Sequence, residues 1–149
     1  MKPKSLKNRI KDGDTVIGSF ITLAHPSIAE IMTMAGFDWL AIDLEHSVIT
    51  IREAEELIRI IDLAGVVPLV RLTSNNSDQI KRVMDAGAHG VIVPMVMSAD
   101  EAKLAVSSVK YPLVGNRGIG LARAQGYGAN FDQYFEWQKE NTIVIVQIE

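Results

Sequence analysis

Short apolar runs rich in β-branched residues alternate along this chain with longer helical patterns, and glycine, proline, asparagine or aspartate marks each change. The pattern predicts strands and helices in regular alternation. The predicted strands are residues 15–23, 39–44, 66–72, 90–93 and 142–148. The predicted helices are residues 26–34, 50–65, 75–87, 98–109 and 131–140. Because most of the strands are apolar on both faces, we expect an α/β fold with a parallel sheet buried on both sides.

Two architectures fit such a sheet: an open doubly wound sheet and a (β/α) barrel. The chain has 149 residues, which is enough for one core and too few for two ordinary domains. We therefore treat residues 1–149 as a single unit. A complete eight-stranded barrel takes ~250 residues, so a barrel interpretation assigns about the first five of its β/α units to this chain.

Composition excludes several classes of function. The chain contains no cysteine, which removes disulfides, thiolate nucleophiles and cysteine-ligated metal sites. Its net charge is −3 and its lysines and arginines are scattered, so no basic stripe is available for nucleic acid. No apolar run approaches the ~20 residues needed to cross a membrane, and the N-terminus lacks the apolar core of a signal peptide. We expect a cytoplasmic protein without nucleic-acid or membrane partners.

Polar side chains gather where the predicted strands end. In parallel α/β folds the carboxyl ends of the strands converge on one face, and the chemistry collects there. The ionisable or amide residues at these ends are Asp43, Glu45, His46, Arg71, Gln147 and Glu149. This set predicts a site at the mouth of the sheet.

Asp43 and His46 follow one another at the end of the second strand. The carboxylate of Asp43 is near enough in sequence to hold one imidazole nitrogen and aim the other at a substrate, which predicts a general base. The alternative is a histidine that only caps the next helix. His25, in the first loop, is undecided between the two, whereas His89 lies in a helix-to-strand turn at the opposite end and is predicted to be structural.

Arg71 closes the apolar third strand, and a guanidinium in such a position needs anionic partners. It would clamp a substrate carboxylate through two hydrogen bonds, or form an internal ion pair with Asp43 or Glu45. The two roles are compatible.

Gln147 and Glu149 lie two residues apart on the fifth strand and therefore share one face. A carboxylate there suits Mg²⁺, Mn²⁺ or Co²⁺, although a glutamate in that position can also be an ordinary polar residue leaving the sheet. The lysines beyond the N-terminal segment fall on helices or helix ends, so a Schiff-base mechanism has no evident nucleophile. Metal-assisted enolate chemistry remains.

Residues 111–130 form a long segment rich in glycine, arginine and asparagine. Its glycines lack the strand-turn-helix context of nucleotide-binding loops. We expect it to lie over the barrel mouth as a substrate loop, with Arg117 and Arg123 as its charged members. An ordinary surface loop is the alternative, for Arg123 in particular.

Nine short segments occur in order across nearly the whole chain, and together they resemble the HpcH/HpaI aldolase family. They read GFDW, IDLEH, VR, DAG, VPMV, YP, RGIG, RA and VQIE, at residues 36–39, 42–46, 70–71, 85–87, 93–96, 111–112, 117–120, 123–124 and 146–149. The family includes 2-keto-3-deoxy sugar acid aldolases and 4-hydroxy-2-oxo acid aldolases. The resemblance implies a (β/α)8 TIM barrel of the phosphoenolpyruvate/pyruvate type.

The resemblance also implies a class II aldolase that uses a divalent ion, Mg²⁺, Mn²⁺ or Co²⁺, to form pyruvate and an aldehyde from a keto acid. By this analogy His46, steered by Asp43, is the acid/base. Arg71 stabilises charge on the pyruvate-like oxygen, Gln147 contacts the bound acid, and Glu149 is the first metal ligand. Such proteins often pair subunits, so a homo-oligomer is expected.

One part of the family pattern lies outside these residues. The second metal ligand of the family is an aspartate at the end of the next strand, so we expect a C-terminally truncated barrel. Two alternatives follow: a catalytically incomplete barrel that serves as a structural or oligomerising fragment, and a lyase for an acyl-CoA ester. The acyl-CoA lyase would need a cluster of basic residues for the nucleotide, and the sequence shows none.

Overall fold

The computed structural model describes residues 4–149 and contains one five-stranded parallel sheet, with the strands in the order β1-β2-β3-β4-β5. The strands are β1 (Gly18–Ile21), β2 (Trp39–Asp43), β3 (Val67–Arg71), β4 (Gly90–Val93) and β5 (Ile143–Val146). The helices are α1 (Leu6–Lys11), α2 (Pro26–Thr33), α3 (Ile51–Leu63), α4 (Ser77–Ala86), α5 (Ala99–Val109) and α6 (Phe131–Asn141). The predicted parallel sheet is confirmed. Because the spatial order follows the chain without reversal, the sheet is a barrel segment and not a doubly wound sheet.

Local sequence signals begin and end the helices. Thr50 caps α3 in a reciprocal capping box with Glu53, as the sequence predicts. Asn76 and Ser98 cap α4 and α5 through their side chains. Gly87 ends α4 with a φ of 108°, a left-handed conformation that glycine adopts without steric cost. These signals fix where each helix turns back toward the sheet.

The two faces of the sheet have different coverings. One face packs against α2 to α5 in a large apolar core that includes Ile42, Val70 and Val91. The other face carries a smaller cluster of Leu6, Ala41, Leu69, Ile92 and Ile143. Leu6 belongs to α1, so this short helix covers the second face, which a closed barrel would turn inward.

Helix α1 is not among the predicted helices, and a short 3₁₀ helix (Arg123–Gly128) occurs inside the segment predicted as a loop. Each has only six residues, which is too short for an amphipathic pattern to be detected. Contacts with distant residues hold these elements in place. Lys7, for example, donates a hydrogen bond to the Thr142 carbonyl at 3.0 Å. The edge strands β1 and β5 are also shorter than predicted, since each pairs on one side only.

The segment 111–130 packs on the outer helices, and its Arg123 lies toward the amino-terminal end of the sheet. Its Arg123 donates hydrogen bonds to Asp62 Oδ2 (2.7 Å) and to the Ala86 carbonyl (3.2 Å), near the carboxyl ends of α3 and α4. Helices in this fold run antiparallel to the strands, so these helix ends lie opposite the strand ends that carry Asp43 and Arg71. The structure therefore does not place Arg123 at the barrel mouth of its own chain. Between residues 4 and 149 no helix has the length and apolar character needed to span a membrane.

Candidate active site

Asp43 and Arg71 form a bidentate ion pair at the carboxyl ends of β2 and β3. The two residues are direct neighbours in the register of these strands. Arg71 Nε donates to Asp43 Oδ1 at 2.9 Å, and Arg71 Nη2 donates to Asp43 Oδ2 at 2.7 Å. Burial of Asp43 opposes its ionisation, but the hydrogen bonds from Arg71 and from two backbone amides outweigh it and lower the pKa of Asp43. The internal ion pair anticipated for Arg71 is thus present.

The turn after β2 wraps around the same carboxylate. Asp43 Oδ1 accepts hydrogen bonds from the backbone amides of Glu45 (3.0 Å) and His46 (3.2 Å). Its contacts are therefore with Arg71 and the backbone, and not with the His46 imidazole. The structure therefore does not show Asp43 orienting the imidazole: the carboxylate is 1% exposed, and Arg71 engages both of its oxygens.

The His46 ring instead faces Glu45. Its side chain is 69% exposed, and Nε2 lies 3.6 Å from Glu45 Oε2. The same oxygen lies 3.5 Å from Arg71 Nε. Glu45 thus lies between His46 and Arg71, the two residues predicted to do the chemistry. The sequence placed Glu45 at the end of the same strand but did not indicate these two contacts.

An aromatic residue that the sequence did not suggest supports Arg71 from β1. The Arg71 Cζ atom lies 4.8 Å from the centre of the Phe20 ring, a cation–π contact. Phe20 packs edge-on against Trp39, and a Cβ at Gly18 would lie only 2.0 Å from Cδ2 of Trp39. Glycine at position 18 therefore leaves room for the Trp39 ring, which in turn supports Phe20. The available signal in the sequence was that Gly18 and Phe20 lie two residues apart on β1 and therefore share one face of the sheet.

Gln147 and Glu149 follow directly on β5, at the same end of the sheet. The Gln147 amide donates to the Val93 carbonyl at 2.9 Å, which continues the pairing of β4 with β5. Its side-chain Nε2 donates to Glu149 Oε1 at 3.4 Å. The hydrogen bonds to Asp43 are the main cause that raises the pKa of Arg71, and the charges of Glu45 and Glu149 add to it. Glu149 is therefore in electrostatic range of Arg71, at the same strand ends.

These side chains fit part of a divalent-metal site. The available donors are carboxylate and amide oxygens, which hard cations prefer. Two buried oxygens, Glu45 Oε2 and Gln147 Oε1, have no hydrogen-bond partner in the structure. Within residues 4–149, no group of three or more His, Asp or Glu side chains is arranged to hold an ion by itself. The described residues can therefore supply some, and not all, of a metal shell.

Arg117, which was predicted as a substrate ligand at the mouth, contacts none of these strand-end residues in the structure. It is 2% exposed and donates to the Val109 carbonyl (3.2 Å) and to Tyr134 Oη (3.0 Å). Its Cζ atom stacks 4.0 Å from the centre of the Tyr111 ring. The Arg117 guanidinium is buried between α5 and α6 and joins these two helices. It does not contact Asp43, Glu45 or Arg71 at the strand ends.

The other two histidines, His25 and His89, also make their contacts away from Asp43, His46 and Arg71. His25 caps α2, with Nδ1 accepting a hydrogen bond from the Ser27 amide at 3.2 Å. His89 Nε2 lies 3.1 Å from Asp62 Oδ1, and its ring packs against Trp137, at the amino-terminal end of the sheet. The structural role predicted for His89 agrees with this position.

Comparison with known proteins gives consistent matches over nearly the whole chain. Residues 16–149 match the family HpcH/HpaI aldolase/citrate lyase. A hydroxypyruvate/pyruvate aldolase of Paraburkholderia phytofirmans is 40% identical over 151 aligned positions, which cover 97% of this chain and 58% of that protein. A 2-keto-3-deoxy-L-rhamnonate aldolase of Salmonella gallinarum is 35% identical, covering 96% of this chain and 54% of that protein. The chain thus spans about half the length of these curated relatives.

Solved structures agree with the fold. A crystal structure of an HpcH/HpaI aldolase/citrate lyase family protein from Burkholderia cenocepacia superposes with a TM-score of 0.89 and 34% identity, over 97% of this chain and 59% of that one. An HpcH/HpaI aldolase from Desulfitobacterium hafniense gives a TM-score of 0.85 and 30% identity, over 99% of this chain and 57% of that one. Since the family match covers most of the residues and includes both Asp43 and Arg71, this chain belongs to the HpcH/HpaI aldolase/citrate lyase family.

Proposed function

We propose that this chain is part of a divalent-metal-dependent class II aldolase. Its substrate is a 4-hydroxy-2-oxo acid or a 2-keto-3-deoxy sugar acid, which it cleaves to pyruvate and an aldehyde, in the cytoplasm and as a homo-oligomer. The observation that carries the proposal is the Arg71 guanidinium, held by Asp43 at the same strand ends as Gln147 and Glu149. Aldolase names among relatives of 35–40% identity support the reaction class.

Arg71 is oriented for an anionic ligand. Its Nε and Nη2 atoms are directed to Asp43, and no described residue accepts a hydrogen bond from Nη1. The face of the guanidinium rests on Phe20. The Nη1 edge is thus left to bind the keto acid, whose carboxylate or keto oxygen would accept its hydrogen bonds.

Glu149 would hold the ion, Mg²⁺, Mn²⁺ or Co²⁺, with Gln147 beside it. When bound, the ion supplies Lewis-acid stabilisation of negative charge on the keto oxygen. The exposed imidazole of His46 takes the proton of the C4 hydroxyl as the C3–C4 bond breaks, which releases the aldehyde. It then returns a proton to C3 of the pyruvate enolate, so the proton count closes over one turnover.

The test is a partial reaction that needs no aldehyde. Pyruvate, the chain and Mg²⁺ are incubated in D₂O, and loss of the methyl proton signal is followed by NMR. We expect metal-dependent exchange that disappears in Arg71→Ala and in Glu149→Gln. Exchange that continues unchanged in both variants would contradict the assigned site. Calorimetric titration of the metal with and without pyruvate gives an independent reading, with tighter metal binding expected when pyruvate is present.

A second candidate is a catalytically incomplete barrel that serves as a structural or oligomerising fragment. It is favoured by the lack of a three-ligand metal group within residues 4–149 and by the unpaired edges of β1 and β5. Sedimentation of the folded chain combined with the metal titration separates the two. A stable oligomer that binds no metal supports the fragment, whereas metal binding enhanced by pyruvate supports the aldolase.

A further inference from the structure

A second cleft lies toward the amino-terminal end of the sheet, away from the strand ends that carry Asp43 and Arg71. It has a volume of about 240 Å³ and lies between the carboxyl end of α3, the 3₁₀ helix and α6. The lining side chains that could contact a ligand are Asp62, His89, Asn130, Gln133, Tyr134 and Trp137. The proposed aldol cleavage uses none of them.

One stripe of α6 forms a wall of this cleft. Asn130 is the N-cap of the helix, and Gln133, Tyr134 and Trp137 follow it at intervals of three, four and seven residues. Such intervals put the four side chains on one face of the helix. The Trp137 ring stacks on Tyr134, with 5.7 Å between the ring centres, and the His89 ring packs against it at 4.7 Å. The wall thus combines aromatic rings with two side-chain amides.

The Asn130 amide is not used by the helix that it begins. Asparagine at an N-cap ordinarily accepts a hydrogen bond from the first turn, but the Asn130 side chain makes no such bond. A Cβ at Gly126 would lie only 2.8 Å from Asn130 Nδ2, so glycine at position 126 leaves room for the amide. The Asn130 side chain is therefore available to a ligand in the cleft.

Asp62 fixes which nitrogen of His89 carries the proton. Asp62 Oδ1 lies 3.1 Å from His89 Nε2, and Asp62 Oδ2 accepts a hydrogen bond from Arg123 Nη2 at 2.7 Å. Burial opposes the ionisation of Asp62, but these two contacts outweigh it and lower the pKa of the carboxyl group. Because a carboxylate only accepts hydrogen bonds, Nε2 of the neutral ring carries the proton and Nδ1 is an acceptor.

The charges and the hydrogen-bonding groups favour a neutral ligand with several hydroxyls. Asp62 and Arg123 neutralise each other, so the pair leaves no net charge beside the cleft. Hydroxyls both donate and accept hydrogen bonds, which matches two amides and the Nδ1 acceptor. The C–H bonds on one face of a sugar ring carry small positive partial charges, and the negative face of an aromatic ring such as Trp137 attracts them.

We propose that this cleft binds a neutral sugar in its ring form, with one face of the ring on Trp137 and its hydroxyls on Asn130, Gln133 and His89. A volume of about 240 Å³ suits a monosaccharide, since pockets for larger, drug-sized ligands take roughly 300–1,000 Å³. Sugar binding at this end of the sheet needs neither the metal nor the aldolase reaction.

The test is a titration of methyl β-D-glucopyranoside into the isotope-labelled chain, followed by NMR. This glycoside is locked in its ring form and has no free aldehyde or keto acid, so it cannot enter the proposed aldol reaction. The chain has two tryptophans, and each indole N–H gives one signal. We expect a saturable shift of the Trp137 signal and no shift of the signal from Trp39, which lies on β2. Trp137→Phe assigns the two signals.

Two variants test the polar contacts. Gln133→Ala removes an exposed amide and should raise the Kd of the glycoside about two- to tenfold, which corresponds to the loss of one hydrogen bond. Asn130→Ala should do the same and leave Tm nearly unchanged, because the Asn130 side chain does not cap α6. The matched control is Asn8→Ala, which removes an exposed amide from α1 and should leave the Kd unchanged.

A Kd that is unchanged in both cleft variants would overturn the proposal. Absence of a saturable Trp137 shift, or equal shifts of both tryptophan signals, would overturn it as well. Tighter binding of adenine than of the glycoside would also do so, because adenine stacks on an aromatic ring but has no hydroxyls. None of these outcomes bears on the exchange of pyruvate protons, so failure of the sugar site and failure of the proposed function are distinguishable.

Discussion

Replacing Asp43 by asparagine tests the ion pair on which the site is built. The substitution keeps the shape of the side chain and an oxygen that accepts from the amides of Glu45 and His46, at 3.0 and 3.2 Å in the native chain. It removes the charge that faces Arg71. The loss measured in Asp43→Asn therefore reports the buried pair and not the turn around it.

The expected magnitude follows from burial. Removing one partner of a buried ion pair costs about 3–5 kcal/mol, because the other charge is left without compensation. Arg71 is 17% exposed and keeps Glu45 Oε2 at 3.5 Å, so part of this cost is relieved. We expect a loss of about 2–3 kcal/mol in the free energy of unfolding. For a chain of this size that corresponds to a fall in Tm of roughly 6–9 °C.

The assay is thermal and urea unfolding followed by circular dichroism at neutral pH. The matched control is Asp100→Asn, which removes a fully solvated i,i+3 pair with Lys103 at 3.0 Å and should change Tm little. Since the pKa of Asp43 is lowered in the folded state, the unfolded chain binds more protons as the pH falls. The stability that the pair contributes is thus present above the unfolded pKa of about 3.9 and is lost as the pH falls from there through the folded pKa. A Tm loss no larger than that of the control would refute the reasoning.

Three further substitutions follow from the same geometry. His46→Ala should reduce metal-dependent exchange of the pyruvate methyl protons while leaving Tm nearly unchanged, because the ring is 69% exposed; a large fall in Tm would assign it a structural role. Gly18→Ala should cost about 1–3 kcal/mol by urea unfolding, since the new methyl overlaps the Trp39 ring, and a neutral result would mean that the ring can move freely. Burial raises the pKa of Asp85 despite the attraction of Arg117, so the folded state holds the proton more tightly and stability falls as the pH rises from the unfolded pKa through the folded one. Asp85→Asn should therefore raise Tm at pH 7, and a lower Tm would show that the attraction of Arg117 prevails.

Much of the fold could be predicted because its signals are local. Strands β2 and β3 are apolar runs bounded by turn residues, and the capping box of Thr50 with Glu53 lies within four residues of chain. Helix α1 could not be predicted in this way. Its buried residue, Leu6, packs on Ala41 and Leu69, which are more than thirty residues away in sequence.

The sequence indicated which residues form the candidate site better than it indicated which of them contact one another. Parallel strands end at one edge of a sheet, so the ends of β2 and β3 had to bring Asp43 and Arg71 together. The partner of each polar group was not predictable. Asp43 was expected to hold the His46 ring and instead holds Arg71. The packing of Arg117 against Tyr134 was not predictable either, because a glycine- and arginine-rich segment carries no local signal for the helices on which it packs.

The sequence by itself determined the alternation of strands and helices, the parallel sheet and the choice of residues at its carboxyl edge, because each depends on periodicity or on neighbours along the chain. Only the tertiary structure decided which charge pairs with which, that Phe20 supports Arg71, and that Glu45 is left without a donor. Those outcomes depend on the register between strands and on competition among several acceptors for one guanidinium. The energies of such pairings depend on distances of a few ångströms between residues far apart in the chain, which no local pattern encodes.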